Sequence, residues 1–149
     1  MKLRVYLDTS VFSAFYDERV TDRQAETEEF WRWLDQFEVS TSELTRQELS
    51  QVPNPDLKLK FDGLLKGISV FPITREMESL AQHYLDGSVF TPPMFNDALY
   101  VAAAILTRQD VLLSWNFKHL VNRRRRAMIN EMSISKGLPR IEIVAPSEI

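Results

Sequence analysis

Apolar and β-branched residues along the chain form two kinds of run. Leu3 to Leu7, Val39 to Thr41, Ile68 to Phe71, Val111 to Leu113 and Ile141 to Val144 are short and apolar-rich, each at most five residues long with no more than one residue that is neither apolar nor β-branched. Runs of that length without polar alternation predict strands covered on both faces. Between them the pattern is helical. From Asp22 to Phe37, Phe30, Trp31, Leu34 and Phe37 recur at spacings of one, three and three, which predicts an amphipathic helix with an acidic outer face. Ser42-Glu43-Leu44-Thr45 opens another helix with Ser42 as its N-cap, and Pro53-Asn54-Pro55 closes it. Asp56 to Lys66 and Thr74 to Tyr84 follow, the latter stopping near Gly87, and Pro92-Pro93 marks a boundary. Asp97 to Leu106 is apolar all round, so most of its faces are buried, and Phe117 to about Lys136 is mainly helical. Strands alternating with helices predict an α/β chain with a parallel sheet covered on both sides. No repeat, low-complexity tract or linker interrupts the pattern, so residues 1–149 are expected to form one doubly wound domain.

The chain has 149 residues, 44% of them apolar and 26% charged, and no cysteine. A chain of this length buries roughly two thirds of its unfolded surface, so neither disulfides nor a structural metal are needed for folding. Without cysteine, disulfide frameworks, zinc ribbons, iron–sulfur ligation and thiol catalysis drop out together. The longest apolar run, Ala98 to Leu106, has nine residues against the roughly 20 of a membrane span. Lys2, Arg4 and Asp8 interrupt the start too early for a secretory signal, so a cytoplasmic protein is expected.

A formal charge of −3 counts at first against a nucleic-acid partner. That total is a cancellation. Asp17 to Glu48 holds ten acidic residues against four arginines, net −6, whereas Arg108 to Arg140 holds eight basic against two acidic, net +6. Such asymmetry points to an anionic partner or a charged interface.

Ligands of open parallel sheets bind beyond the carboxyl ends of the strands. A nucleotide cradle there needs a glycine-rich turn, but the first turn reads Asp8-Thr9-Ser10-Val11, and Gly63, Gly67, Gly87 and Gly137 form no cluster. There is no Gly-x-Ser-x-Gly elbow and no His-Glu-x-x-His. A receiver-type phosphotransfer domain needs an acid ending its third strand, and Ile68 to Pro72 has none.

Carboxylates are what the strand ends offer. Asp8 ends the first strand, where burial demands hydrogen-bond donors or a cation. Asp97 starts the buried helix, where taken alone it is read first as a cap or dipole partner, and Glu48 lies in the helix after the second strand, where taken alone it is read first as solvated. Ser114-Trp115-Asn116 adds a hydroxyl and an amide after the fourth strand. Three carboxylates converging on one rim repel one another unless a cation lies between them, and oxygen donors alone select Mg²⁺ or Mn²⁺.

Leu7-Asp8-Thr9-Ser10-Val11-Phe12, Glu48-Leu49, Asp97-Ala98-Leu99 and Leu112-Leu113-Ser114-Trp115-Asn116, in this order, resemble the PIN domain, and within it the VapC-type toxin ribonucleases of toxin–antitoxin systems. The resemblance implies a flavodoxin-like three-layer α/β/α sandwich around a mainly parallel sheet of about five strands. It implies an acidic pocket that binds Mg²⁺ or Mn²⁺ and hydrolyses RNA phosphodiesters, together with a homodimer and an antitoxin partner. Its acidic positions fall on Asp8, Glu48 and Asp97, and the fourth, often Asp, falls on Asn116, which adds no charge. Asp8 and Asp97 would hold the ion and Glu48 would orient or deprotonate the attacking water. Ser114 can position a ligand or the scissile phosphate. Thr9 and Ser10 can do the same or stabilise the turn.

Two features stay ambiguous in the sequence. Arg123 to Arg126 fan around a helix, with Arg123 and Arg126 sharing a face at i, i+3, as a phosphate contact or as a solvated surface. Phe12, Phe30, Trp31, Trp33 and Phe37 recur at helical spacing and are assigned mainly to the core or a partner surface; the lone His119 is assigned to surface packing. Asn116 keeps a second possibility open, a PIN-like module that binds RNA or protein without cleaving.

Overall fold

The computed structural model describes residues 1–149. Strand β1 (Leu3–Leu7) runs without a loop into α1 (Thr9–Phe15), because Asp8 itself caps the helix, its carboxylate accepting from the Ser10 N–H at 3.0 Å. The apolar pattern had assigned no helix here. Helix α2 (Thr21–Arg32) stops short of Phe37. A 3-10 turn (Leu34–Gln36) intervenes, and Phe37 already belongs to β2 (Phe37–Ser42), where it pairs with Leu3 and stacks on Phe30 at 5.6 Å between ring centroids.

Helix α3 (Glu43–Ser50) follows at once. Ser42 occupies its N-cap position without capping it, since the Ser42 hydroxyl is engaged by the Tyr6 O–H at 2.6 Å inside the protein. Next come α4 (Pro55–Leu65), capped by Asn54, β3 (Ser69–Phe71), α5 (Arg75–Asp86), capped by Thr74, α6 (Phe95–Leu106) and β4 (Val111–Leu113). The last elements are α7 (Arg123–Ser135) and β5 (Glu142–Val144). Helix α7 begins six residues later than the expected Phe117. Asn116 and Asn122 each turn a side-chain oxygen onto a following backbone N–H, of His119 and Arg125, which breaks the stretch into a loop and a properly capped helix.

The five strands form one parallel sheet in the order β3-β2-β1-β4-β5. The chain builds outward from β1 to β3, then crosses to the other side of β1 for β4, so strand order reverses between β1 and β4. Alternate residues of the central strands feed opposite cores. Val5, Leu7, Val111 and Leu113 pack with α1 to α4, while Tyr6, Leu112 and Ile143 pack with α5, α6 and Ile129 of α7. This is the expected three-layer α/β/α sandwich. Helix α6 is buried from Ala98 to Ile105, as its uniform apolarity requires. Phe12 and Phe30 are buried and Trp31 and Phe37 partly so, but Trp33 is 53% exposed. No helix is long and apolar enough to cross a membrane.

At the amino end of β1, Arg4 ties the sheet to the turn before β4. Its guanidinium donates to the carbonyls of Arg108 and Thr107, both at 3.1 Å, and to Glu38 at 3.2 Å, while its N–H donates to Asp110 at 2.9 Å. Arg108 sits in the left-handed region at φ 60°, a backbone cost of order 1 kcal/mol that these contacts offset.

Candidate active site

Asp8 lies where strand order reverses, the position at which parallel sheets place ligands. It is 3% exposed, and its N–H donates to the Leu113 carbonyl of the neighbouring strand. Both carboxylate oxygens accept hydroxyl hydrogens at 2.5 Å, Oδ1 from Ser10 and Oδ2 from Ser114. Neither hydroxyl is free to turn away. The Trp115 N–H donates to Ser10 Oγ at 2.8 Å and the Asn116 N–H donates to Ser114 Oγ at 2.9 Å, so each oxygen must spend its own hydrogen on Asp8. Burial nevertheless outweighs these bonds and pushes the Asp8 carboxyl up to about 6, with the charge of Asp97 adding to the rise.

Glu48 is not a solvated helix residue. It is half-buried, and its Oε1 accepts from Thr9 Oγ1 at 2.8 Å. Since Thr9 gives its hydrogen to Glu48, the Tyr100 O–H must donate to Thr9 Oγ1, at 2.5 Å. Tyr100 is buried in α6, so a side chain from the far core sets the orientation of a carboxylate on the near one. Burial raises the Glu48 carboxyl, and Asp97 raises it further.

Asp97 does not cap α6, which starts two residues before it. Its Oδ2 lies 2.9 Å from His119 Nδ1, and because an ionised carboxylate only accepts, Nδ1 carries the hydrogen. Burial raises Asp97, while His119 and then Arg125 pull it down. His119, expected to be surface packing, is therefore part of the site. So is Arg125, whose guanidinium donates to the His119 carbonyl at 3.0 Å and lies 4.9 Å above the Phe90 ring.

Asp8, Thr9, Glu48, Asp97 and Ser114 are thus linked by bonds or by mutual charge. Asn116 stands at the edge, its Oδ1 committed to the His119 N–H. Arg123 is exposed and Arg126 donates to the Ile143 carbonyl at 2.9 Å; the arginine turned toward the carboxylates is Arg125. Tyr100, His119 and Arg125 carry no motif of their own. Only the partners that the fold brings to them mark them out.

The donor set fits a hard divalent cation in kind: oxygen donors from three carboxylates, two of them raised by the charge of the third. As oriented, no three such side chains close around a common point.

An α/β/α sandwich with carboxylates gathered at its switch point defines a class, and comparison with known proteins names it. A model of the PIN domain family matches residues 5–117, and the chain belongs to that family. No curated protein matches the chain in sequence. Among solved structures it is similar to the DNA-bound VapBC of Salmonella typhimurium, at TM-score 0.62 and 15% identity over 97% of this chain and 98% of that one. It is similar also to VapBC2 of Rickettsia felis bound to a promoter DNA fragment, at 0.61 and 13% over 96% and 98%. A third is Mycobacterium tuberculosis VapC20, a toxin that cleaves the sarcin-ricin loop, at 0.59 and 16% over 77% and 92%. At these identities the likeness is one of fold.

Proposed function

We propose that this chain is a divalent-metal-dependent endoribonuclease and the toxin of a toxin–antitoxin pair. The observation that carries the reading is the grouping of Asp8, Glu48 and Asp97 at the switch point, with the charge of Asp97 felt by both others. Buried like charges are costly, and a fold keeps them where chemistry uses them. Asp8 and Asp97 would hold Mg²⁺ or Mn²⁺, which when bound supplies positive charge to the phosphate and makes water more acidic. Ser10 and Ser114 hold the Asp8 carboxylate in place, and His119 does the same for Asp97. Glu48, oriented through Thr9, would take a proton from the attacking water on its other oxygen as the water oxygen bonds to phosphorus, while the P–O bond to the leaving ribose oxygen breaks and that oxygen gains a proton from solvent. Burial and the charge of Asp97 make Glu48 a stronger base than a solvated glutamate.

The PIN match and the toxin–antitoxin complexes among its structural neighbours support an antitoxin partner. A homodimer acting in the cytoplasm, where its RNA would be, completes the reading. Residues 1–149 would act as one unit.

One observation favours a second reading, a PIN-like module that binds RNA or a protein partner without cleaving: no three ligating side chains stand together, and Asn116 is occupied within its own loop. Cleavage of total RNA decides between them. The nuclease reading expects activity with Mg²⁺ or Mn²⁺ that is lost in excess EDTA and in Asp8→Asn and Asp97→Asn. Equal activity in EDTA, or full activity of both variants, sinks it; Mn²⁺ binding by calorimetry without any cleavage favours the module.

A further inference from the structure

The loop from Ser114 to Asn122 holds one residue that the site does not absorb. Trp115 points inward, buried, with its indole N–H donating to Thr27 Oγ1 at 2.8 Å and its backbone N–H to Ser10. Phe117 points out, 56% exposed, its ring edge-to-face with Trp115 at 6.0 Å between centroids and its N–H donating to the Trp115 carbonyl at 2.9 Å. A ring fixed from behind and bare in front lies one residue from Asn116 and two from His119. Single exposed aromatics are common on protein surfaces, so exposure alone assigns nothing. Position and neighbours assign more.

Arg125 ties His119 to a cavity of about 280 Å³ lined by Ser88, Val89, Asn122, Arg124, Arg125 and Met128. Two guanidiniums, an amide and a hydroxyl face it, and no carboxylate does. Three carboxylates next door repel a polyanion, so a strand that reaches them must be held by contacts of the opposite kind nearby. Aromatic faces and cationic cavities are the two means by which proteins hold single-stranded nucleic acid, bases stacking on rings and phosphates meeting arginines; here the first follows Asn116 in the chain and the second is bonded to the His119 carbonyl.

We propose that Phe117 is a stacking platform for an unpaired base of the substrate and that the Arg124–Arg125 cavity receives a backbone phosphate of the same strand. The proposal rests on the nuclease reading and assigns two contacts to its strand, a base at Phe117 and a phosphate at the arginines. A base inside a continuous duplex cannot reach the ring without being extruded.

The test uses the full chain carrying Asp8→Asn, so that binding is measured without turnover, and a single-stranded oligoribonucleotide bearing one aminopurine, an adenine analogue quenched by stacking. Binding is expected to quench the probe in Asp8→Asn alone and with Phe117→Tyr added, whereas Phe117→Ala removes the quenching and weakens binding about 10-fold. The same sequence as a duplex should bind Phe117→Ala and its parent equally. Arg124→Gln and Arg125→Gln should keep the quenching but each lower the slope of log K against log salt by about 0.7. Arg124 is the cleaner of the two, being exposed. Unchanged affinity and quenching in Phe117→Ala overturns the platform, and an unchanged salt slope in both arginine variants overturns the phosphate site. If the unmodified chain cleaves total RNA neither with Mg²⁺ nor with Mn²⁺, the nuclease reading falls and takes the proposal with it. If it cleaves, and Phe117→Ala cleaves and binds equally well, the platform alone falls.

Discussion

Arg4, near the amino end of β1, and Asp8, just past its carboxyl end, lie four residues apart, and their surroundings differ in kind. Arg4 is partly exposed and meets two carbonyls and two carboxylates, so charge is matched and the solvent screens what remains. Asp8 is buried, has only hydroxyl and amide donors for company, and feels another carboxylate. The amino end joins elements at little electrostatic cost. The carboxyl end accumulates like charge against the interest of folding. A charged group that stabilises the fold and one that the fold merely tolerates can thus be told apart by what surrounds them, without any appeal to family.

The sharpest way to break that comparison is to neutralise the carboxyl end. Asp8→Asn should reduce RNA cleavage by at least about 100-fold, since charge stabilisation at a phosphate is worth several kcal/mol. At subsaturating Mg²⁺, cleavage by the unmodified protein should fall by about tenfold per unit below roughly pH 6, because protonation of Asp8 competes with binding of the ion. A flat profile from pH 5 to 8, measured under single-turnover conditions, would contradict the assignment.

Stability should move the other way. The Asp8 carboxyl titrates at 3.8 in the unfolded chain and about 6 in the folded one, so between those values the folded state binds more protons and stability falls as pH rises. The loss is complete above about pH 6 and amounts to about 3 kcal/mol. Asp8→Asn should therefore unfold at higher denaturant than the parent at pH 7 in EDTA, with the advantage gone below about pH 4. An equal or lower midpoint at pH 7 would show that the hydroxyl donors already offset the burial.

A smaller effect is expected one step from the carboxylates. Tyr100→Phe removes the hydrogen bond to Thr9 but leaves the Thr9 bond to Glu48, and should lower kcat about fivefold, the worth of about 1 kcal/mol, with KM unchanged. A change confined to KM would place Tyr100 in substrate binding. The smallest effect belongs to the amino end. Arg4→Gln should cost about 1 kcal/mol or less by urea denaturation and leave cleavage untouched, because its partners are exposed.

Much of this was legible in the residue pattern, for physical reasons. Short apolar-rich runs mark parallel strands, and all five fall within two residues of their observed ends, but only β4 is buried throughout; the edge strand β3 has no fully buried residue. Helix α1 escaped because Thr9-Ser10-Val11-Phe12 carries β-branched residues and no long periodic stripe; Asp8 and packing against α2 to α4 create it. The pattern extends α7 back to Phe117 because Lys118-His119-Leu120-Val121 shows no breaker, and the two asparagine turns that interrupt it are local competitions for backbone N–H groups. Asp8, Glu48 and Asp97 stood out as acids beside strand ends. Tyr100, His119 and Arg125 did not, because the atoms that give them meaning lie far off in the chain: Tyr100 on Thr9, His119 on Asp97, Arg125 near both. Helical spacing drew attention to Arg123 and Arg126, while the turn that α7 makes from Asn122 aims Arg125 inward.

The two outermost strands, β3 and β5, have three residues each. An edge that short presents few open backbone groups, far fewer than an extended peptide needs to extend a sheet or a second molecule needs to continue it. Short edges of this kind disfavour recognition by strand addition and guard the molecule, in concentrated solution, against growing edge to edge into fibres.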